Sequence, residues 1–333
     1  MTITYLTKTE LSTGPYVNWT ADFDASVKSA FFASLEATGV YDSGAEDGKK
    51  AWVEYGTYAG GAVPPVVQIL DVQNSTTVQT DATLKGIIMD DAGGNQLYVT
   101  DTPNAGNNVF VAMGAGSDSV NLFDSGNDTV YGGSGNDTIG GGVGASSLLG
   151  GDGNDGLYGG SGNSTLDGGN GDDYLQAGSG AQSLIGGAGN DYIDAVANDA
   201  SRTGHDTLNG GTGSDTMFGV QGDTFTDDGT AGQKSYFWVV GGGPGGNSTL
   251  TGGAGDDEFH IETHTGNDTI IGGGGDNIAG FKDRSFTSDV GAGGLTYDAG
   301  TSTYTLQFTD GQKISIQGVS DLYFTDQVVH LTY

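Results

Sequence analysis

One apolar residue recurs at every ninth position through the middle of the chain. The series begins at Ile139, ends at Ile193, and has leucine at positions 148, 157, 166, 175 and 184. Each member is the middle residue of a three-residue segment, which predicts a short strand with one side chain pointing inward. No strand of this length can bury its side chain alone. The pattern therefore predicts stacked coils that enclose a ladder of Ile and Leu.

The six residues between successive strands are rich in Gly, Asn and Asp. Blocks of nine run without an inserted residue from Gly132 to Asp194, as in GGSGNDTIG and GGDGNDGLY. Further copies begin at Met113, Phe123, Gly210, Gly243, Gly252 and Thr263. Insertions are expected near residues 195–203 and 219–242, where the pattern is interrupted. Glycine permits the backbone angles of tight turns and lets neighbouring coils approach closely.

The N-terminal part of the chain has a different pattern. Val27, Phe31 and Leu35 have helical spacing, which predicts one amphipathic helix starting after Asp24 and ending before Gly39. Short strands follow at roughly the repeat spacing. They are predicted at residues 66–72, 85–89, 96–99 and 108–112.

The C-terminal part predicts a small group of strands. Segments 303–309 and 312–317 flank Asp310-Gly311, a strong hairpin signal. Two more apolar strands are predicted at 321–324 and 327–333. We expect this tail to cover the last coil.

Composition narrows the function classes. The chain has 64 Gly, no Cys, and a formal net charge of -32 from 42 acidic and 10 basic residues. This charge argues against binding nucleic acid or anionic membranes, both of which need Lys and Arg. Without cysteine, disulfides and thiolate zinc sites are excluded. So many carboxylates in one folded object need counter-charge, and divalent cations are the obvious source.

The N-terminus lacks a basic segment followed by an apolar one, so no conventional signal peptide is predicted. No stretch is apolar enough to predict membrane insertion. Export would need another route.

The blocks match GGxGxDxUx, a pattern of calcium-binding parallel β-helices in which U is apolar. Over residues 113–271 the sequence resembles the RTX (repeats-in-toxin) family of secreted bacterial proteins. The resemblance implies that two blocks form one coil and that Ca²⁺ ions lie in the turns between successive coils. The ligands would be aspartate carboxylates and glycine carbonyls, an all-oxygen shell that suits Ca²⁺.

The resemblance assigns candidate metal-binding residues position by position. The aspartates are Asp118, Asp128, Asp137, Asp155, Asp173, Asp191, Asp206, Asp215, Asp257 and Asp268. The glycines are Gly133, Gly135, Gly151, Gly153, Gly169, Gly171, Gly187 and Gly189.

The aspartates alternate along the central blocks. Ser146, Ser164 and Gln182 occupy the intervening aspartate positions, and Ser248 repeats the substitution later. We interpret this as a one-sided roll, with calcium along one side and a neutral Ser/Thr-rich face on the other. Degeneration of redundant sites is the alternative interpretation.

The predicted fold is all-β, a right-handed parallel β-roll with a small α/β N-terminal cap region and a C-terminal β-hairpin cap. Residues 1–70 would form the N-terminal cap or assembly region, 71–112 non-calcium β-coils, and 113–280 the calcium roll. Residues 281–333 would form the C-terminal cap. By the same resemblance, they would carry an uncleaved type I secretion signal.

The functional prediction is a calcium-binding structural protein, secreted to the extracellular space or cell surface of a Gram-negative bacterium. It would fold on meeting Ca²⁺ and self-associate through calcium-dependent contacts, as a surface-layer or matrix subunit. The alternative is a calcium-dependent adhesin that binds cell-surface polysaccharide. For that alternative, Tyr236-Phe237-Trp238 is either a contact surface or a core strand. No catalytic constellation is recognised, so no enzyme is predicted, and a secreted enzyme of unrecognised type is the second alternative.

Overall fold

The structure is a computed structural model, and it describes most of the chain after residue 105. The described segments there are 106–196, 205–241, 246–263, 265–290 and 293–333. Earlier in the chain they are 2–7, 11–12, 25–37, 50–56, 61–62, 69–72, 76–80, 84–89 and 93–101. The chain divides into an N-terminal unit, Met1–Asn170, and a C-terminal unit, Gly171–Tyr333.

The N-terminal unit is a parallel β-solenoid with two sheets, and the longest helix in its described residues is α1 (Ala25–Ala37). Its strands are β1 (Thr2–Thr7), β2 (Lys50–Gly56), β3 (Gly61–Ala62), β4 (Ile69–Val72), β5 (Thr76–Thr80), β6 (Gly86–Met89), β7 (Gln96–Asp101), β8 (Phe110–Ala112), β9 (Ser119–Leu122), β10 (Thr129–Ser134), β11 (Thr138–Gly140), β12 (Ser147–Asp152), β13 (Gly156–Tyr158) and β14 (Thr165–Asn170). Sheet 1A has the order β1-β2-β4-β6-β8-β10-β12-β14, and sheet 1B has the order β3-β5-β7-β9-β11-β13.

The C-terminal unit repeats this winding. Its strands are β15 (Tyr174–Gln176), β16 (Ser183–Ala188), β17 (Tyr192–Asp194), β18 (Thr207–Thr212), β19 (Thr216–Val220), β20 (Thr224–Thr226), β21 (Tyr236–Val240), β22 (Thr249–Thr251), β23 (Glu258–Ile261), β24 (Asp268–Ile271), β25 (Ile278–Phe281), β26 (Leu295–Asp298), β27 (Thr303–Gln307), β28 (Lys313–Gln317), β29 (Asp321–Phe324) and β30 (Val328–His330). Sheet 2A has the order β16-β18-β20-β22-β24-β28-β27-β26, and sheet 2B has the order β15-β17-β19-β21-β23-β25-β29-β30.

The predicted apolar ladder forms the core of each unit. In sheet 1A, Leu148 pairs with Val130 on one side and Leu166 on the other, and all three are fully buried. In sheet 2B, Ile193 and Met217 stack in the same way. Parallel pairing in register keeps each inward side chain over its equivalent in the next coil. The nine-residue period therefore becomes a continuous apolar column within each unit.

The predicted helix packs on the solenoid as the sequence indicates. Val27, Phe31 and Leu35 are buried in α1, and Phe31 contacts Phe110 of β8 edge to face at 5.3 Å. Gly86 lies beneath this contact, because a Cβ there would fall 2.8 Å from the Phe31 ring. The predicted helix boundaries at Asp24 and Gly39 lie outside the described residues. No described helix has the length and apolar character of a membrane span.

The predicted insertion at 219–242 is wrong. Two regular strands of the solenoid, β20 and β21, fall inside it, and both pair in register with the neighbouring coils. The sequence hid them because these coils lack the paired glycines, whereas the apolar positions Phe225 and Phe237 keep their place in the core. The predicted insertion near 195–203 lies mostly outside the described residues, which resume at His205.

The C-terminal hairpin is confirmed, and it does more than cover the last coil. β28 pairs with β24 in parallel, so it is itself a coil strand, and β27 then pairs with β28 antiparallel around Asp310-Gly311. Arg284 fastens the hairpin, with Nη1 at 2.7 Å from the Asp310 carboxylate and the guanidinium over the Phe308 ring. The strands predicted at 321–324 and 327–333 correspond to β29 and the shorter β30.

Candidate metal sites in the glycine turns

A row of buried carboxylates runs along one side of the N-terminal unit. Asp118, Asp137 and Asp155 each immediately precede a strand of sheet 1B, and each is at most 3 % exposed. Their Oδ1 atoms link successive coils, because the backbone N–H of Asp118 donates to Asp137 Oδ1 at 2.8 Å. The N–H of Asp137 donates to Asp155 Oδ1 at 2.7 Å. One oxygen of each linking carboxylate therefore has a structural role.

The second oxygen of Asp137 points into a small space above Gly132. Asp137 Oδ2 is buried without a hydrogen-bond partner. A Cβ added to Gly132 would collide with it and would lie 2.7 Å from the carbonyl oxygen of Gly150 in the next coil. Two oxygens with partial or full negative charge thus face one space that only glycine leaves open. We call such a space an oxygen cradle.

Oxygen cradles recur in both units. In the N-terminal unit, Asp155 Oδ2 and the carbonyl oxygen of Gly168 meet above Gly150. In the C-terminal unit, Asp191 Oδ2 meets the carbonyl of Gly210 above Gly186, and Asp257 Oδ2 meets that of Gly272 above Gly252. Asp191 Oδ2 and Asp257 Oδ2 are also buried without a hydrogen-bond partner. The first glycine of each block, which the sequence analysis did not assign, forms the base of the cradle.

The aspartate row of the C-terminal unit is linked in the same way. It contains Asp173, Asp191, Asp215, Ser235, Asp257 and Asn277. Backbone N–H groups of Asp173 and Asp191 donate to Oδ1 of Asp191 and Asp215 at 2.8 and 2.7 Å. Ser235 continues the row with its hydroxyl, which accepts from the N–H of Asp215 at 3.0 Å.

Asn277 shows how the row ends. Its Oδ1 accepts the N–H of Asp257 at 2.7 Å, as an aspartate would. Its Nδ2 occupies the cradle above Gly272 and donates to the Gly318 carbonyl oxygen at 2.9 Å. An amide nitrogen here supplies the positive end that faces the carbonyl. Where aspartate stands instead, two oxygens face each other and a cation would fill the same role.

All eight glycines predicted to contribute turn carbonyls have left-handed backbone angles, with φ between 104° and 141°. Gly135 is typical, since its φ is 124° and a Cβ would collide with the carbonyl oxygen of Gly116. Glycine is therefore required twice at this position, for its backbone angle and for the close approach of the coils.

The opposite row of the N-terminal unit is chemically different. The N–H groups of Asp128 and Ser146 donate to the hydroxyls of Ser146 and Ser164 at 3.2 and 3.1 Å. Above Gly141, a Cβ would meet the amide nitrogen of Gly160 at 2.9 Å instead of a carboxylate. A donor in that position does not suit a cation. This geometry supports the one-sided interpretation for the coils that contain Ser146 and Ser164, whereas Asp128 places a buried carboxylate at the start of the same row.

The opposite row of the C-terminal unit regains carboxylates. It contains Gln182, Asp206, Asp223, Ser248, Asp268 and Gln312. The N–H of Gln182 donates to Asp206 Oδ1 at 2.7 Å, and that of Asp206 donates to Asp223 Oδ1 at 2.8 Å. Asp223 was missed because no glycine pair precedes it. Only its position one residue before the apolar strand Thr224–Thr226 could have indicated it.

One oxygen cradle contains a second carboxylate. Asp227 occupies the glycine position above Gly210, where a Cβ would lie 2.5 Å from Asp215 Oδ2 and 2.8 Å from Asp227 Oδ1. Burial, and then the neighbouring Asp215 carboxyl, raise the pKa of Asp227 to about 7. Burial likewise raises the pKa of Asp215 to about 6. This pair was not predicted from the sequence.

Burial and mutual repulsion make the ionised form of the aspartates in these rows unfavourable when no cation is bound. Burial, and then the charges of Asp155 and Asp118, raise the pKa of Asp137 to about 7. Burial and the carboxylates of Asp173 and Asp172 raise that of Asp191 to about 7. Burial also raises the pKa of Asp155, Asp257 and Asp268 to about 6. Protons offset the buried charge of these carboxyls below their raised pKa values, and a bound cation would offset it above them.

The donor set fits a hard divalent cation. Within the described residues, no three side chains of His, Cys, Asp or Glu are gathered into one cluster. A metal would therefore be held by single aspartates together with main-chain carbonyls, as in the oxygen cradles. Calcium accepts such mixed oxygen shells with flexible geometry, whereas zinc favours nitrogen and sulfur ligands.

Comparison with known families also indicates calcium binding. A family model for the RTX calcium-binding nonapeptide repeat (4 copies) matches residues 124–148, 141–166, 149–181, 167–197, 202–225, 243–260 and 260–279. A search of curated proteins found no match. Strands β20 and β21 lie partly or wholly outside the matched segments, although the solenoid continues through them.

Proposed function

From the membership of its repeat region, between residues 124 and 279, in the RTX calcium-binding nonapeptide repeat family, we propose that this chain is an extracellular structural protein that folds and self-assembles when it meets calcium. The repeats bind several calcium ions, and RTX repeats are typical of secreted proteins. The match is to a metal-binding structural repeat and to no enzyme family.

One observation carries the folding part of the proposal. Asp137, Asp191 and Asp257 each direct a buried, unpartnered Oδ2 into an oxygen cradle. There it faces a glycine carbonyl oxygen of the next coil across a space for a cation. Calcium filling these cradles would bridge one coil to the next and neutralise the row. The ion would then be part of the scaffold, and metal binding would contribute directly to folding.

The assembly part of the proposal rests on the net charge of the chain and on the exposed carboxylates of the repeats. A net charge of -32 keeps copies apart unless cations neutralise it. Exposed acidic side chains such as Asp152, Asp256 and Asp276 lie at the turns, outside the buried rows. Calcium bridging between such carboxylates of neighbouring copies would produce lateral association into a layer or matrix.

Electron microscopy with and without calcium tests the proposal. Purified chain in about 5 mM calcium, a level that fills sites of about 10⁻⁴–10⁻³ M affinity, should form sheets or filaments that disperse on chelation. A monodisperse monomer at high protein concentration and the same calcium level would overturn the assembly proposal. Calcium-driven folding would stand or fall separately, by circular dichroism on the same samples.

A further inference from the structure

An aromatic ladder lies on the outer face of sheet 2B. Tyr192 contacts Phe218 at 5.4 Å between ring centroids, and Phe218 stacks on Trp238 at 5.8 Å. Trp238 stacks on His260 at 3.8 Å with an interplanar angle of 10°. The apolar residues that alternate with these rings along the strands point inward, so the ladder is separate from the core. Rings stacked along the sheet in this way cover one another's faces.

The ladder is interrupted at one position. In the paired register, His260 is followed by Gly280 and then by Tyr323, whose side chain is 44 % exposed. Gly280 has no side chain to continue the stack. The strands that carry His260 and Tyr323 are therefore two strand spacings apart, about 9.5 Å. Between them is a slot with two ring walls and a glycine floor.

The slot belongs to a cavity of about 460 Å³, within the range of small-ligand sites. Ile278 and Gly280 line its floor, and His260 and Tyr323 its walls. Lys282 adds a hydrogen-bond donor at the edge. The site therefore combines apolar ring faces with polar groups around its opening.

Charge decides which ligands suit the slot. Glu258, the acidic side chain lining the cavity, is already paired with Lys234 at 2.7 Å and with His260 at 3.0 Å. No uncompensated carboxylate therefore remains for a cationic ligand. The net charge of the chain disfavours acidic polymers. Burial lowers the pKa of His260, which keeps its ring neutral at neutral pH.

Thickness decides between flat and puckered rings. With both rings upright on their strands, a planar aromatic ligand midway between them would lie about 4.7 Å from each ring, beyond the optimum of about 3.5–4.0 Å for carbon contacts. A pyranose ring is thicker, because axial C–H bonds project from both faces. It also carries hydroxyls around its rim, where the Glu258, His260 and Lys282 side chains stand.

We propose that the slot between His260 and Tyr323 binds a neutral pyranose sugar, with Gly280 as its floor. Each sugar face would lie against one ring wall, and the rim hydroxyls would exchange hydrogen bonds with the polar side chains at the opening. This activity goes beyond calcium-dependent assembly and does not require it. It would attach the folded chain to a neutral glycan.

Two substitutions form a matched pair for the test. Gly280→Phe would continue the aromatic ladder and fill the slot. A Cβ there would lie 3.3 Å from the His260 ring and 3.8 Å from the Phe259 carbonyl oxygen, so the change is sterically tolerable. Gly140→Phe places the same side chain at the equivalent strand position in sheet 1B, far along the sequence from the slot. Tyr323→Ala removes one wall at an exposed position.

The full chain, loaded with calcium, would be applied to an immobilised panel of neutral and acidic glycans, and the affinity for bound glycans measured by calorimetry. We expect neutral pyranose glycans to bind. Loss of one ring contact in Tyr323→Ala should weaken binding about three- to tenfold. Gly280→Phe should abolish it, and Gly140→Phe should leave it unchanged.

The proposal is overturned if no neutral glycan binds, if only acidic glycans bind, or if Gly280→Phe binds as tightly as the unmodified chain. Circular dichroism in calcium checks that each variant folds. Should Gly280→Phe fail to fold, Tyr323→Ala decides. Microscopy of Gly280→Phe in calcium separates the two proposals, since assembly should persist in a variant that has lost glycan binding.

Discussion

Replacing Asp191 with asparagine should remove one calcium site while preserving the hydrogen bonds around it. Asp191 Oδ1 accepts the N–H of Asp173, and asparagine keeps that acceptor. The new amide nitrogen would take the place of Oδ2 and face the carbonyl of Gly210. Asn277 already has this arrangement, with its amide donating to Gly318 at 2.9 Å. The substitution thus exchanges an ion bridge for an amide bridge.

The size of the effect follows from binding linkage. Between about 1 and 10 mM calcium, a site with an affinity of about 10⁻⁴–10⁻³ M adds about 1.0–1.3 kcal/mol to the free energy of unfolding. Asp191→Asn should lose this increment for one site. At low calcium the variant should be the more stable protein by about 1 kcal/mol, because one buried charge is gone and one hydrogen bond is gained.

Urea unfolding followed by circular dichroism at several calcium concentrations measures both quantities. Ser164→Ala is the matched control from the neutral row of the N-terminal unit. It loses the acceptor for the N–H of Ser146, which costs about 1–3 kcal/mol at every calcium concentration. If Asp191→Asn keeps the full calcium dependence of the unmodified chain, the oxygen cradle at Asp191 does not hold calcium and the reasoning is wrong.

Three further predictions concern the coils themselves. Leu148→Ala should lower the free energy of unfolding by about 2–5 kcal/mol, whereas alanine at the 61 % exposed Val143 should change it by less than about 0.5 kcal/mol, as measured by urea unfolding in calcium; equal effects would contradict the buried ladder. Gly135→Ala should cost far more than Gly311→Ala in melting experiments. Both glycines have positive φ, but a Cβ at Gly135 collides with the preceding coil and at Gly311 it meets nothing within 4 Å. Without calcium, stability should be greatest below about pH 4 and be lost as the pH rises through about 6–7, because the raised pKa of Asp137 and Asp191 means that the fold binds protons the unfolded chain does not; a chelated chain whose β signal is the same at pH 5 and pH 8 would refute this.

The periodic part of the fold was predictable from the sequence, because each strand and each turn has its own local sequence signal. Leu148 and Ile139 mark inward positions, and paired glycines such as Gly133 and Gly135 mark turns with positive φ. The RTX assignment and the calcium it implies follow from the same pattern and are supported by the family match. Helix α1 was predictable because its apolar spacing contrasts with the repeats.

Coils that keep the core position but replace the glycines could not be predicted. Phe225 and Phe237 continue the inward columns, yet Asp223 and Ser235 lie in turns without a glycine pair and looked like parts of an insertion. Asp227 took a glycine position, and only the stacked geometry shows it beside Asp215. Asn277 and Gln312 are the amide residues that end the rows. Their role depends on which coil follows them, and the sequence spacing does not contain that information.

Calcium ions held in the oxygen cradles would be part of the scaffold. Amide hydrogen exchange of the full chain, resolved to single residues, tests it most directly at the N–H groups of Asp137 and Asp191. Each donates to the Oδ1 of the next aspartate in its row at 2.7 Å. At neutral pH these amides should be strongly protected in calcium and should exchange at the rate of unfolded chain after chelation. Equal protection in both conditions would contradict the account.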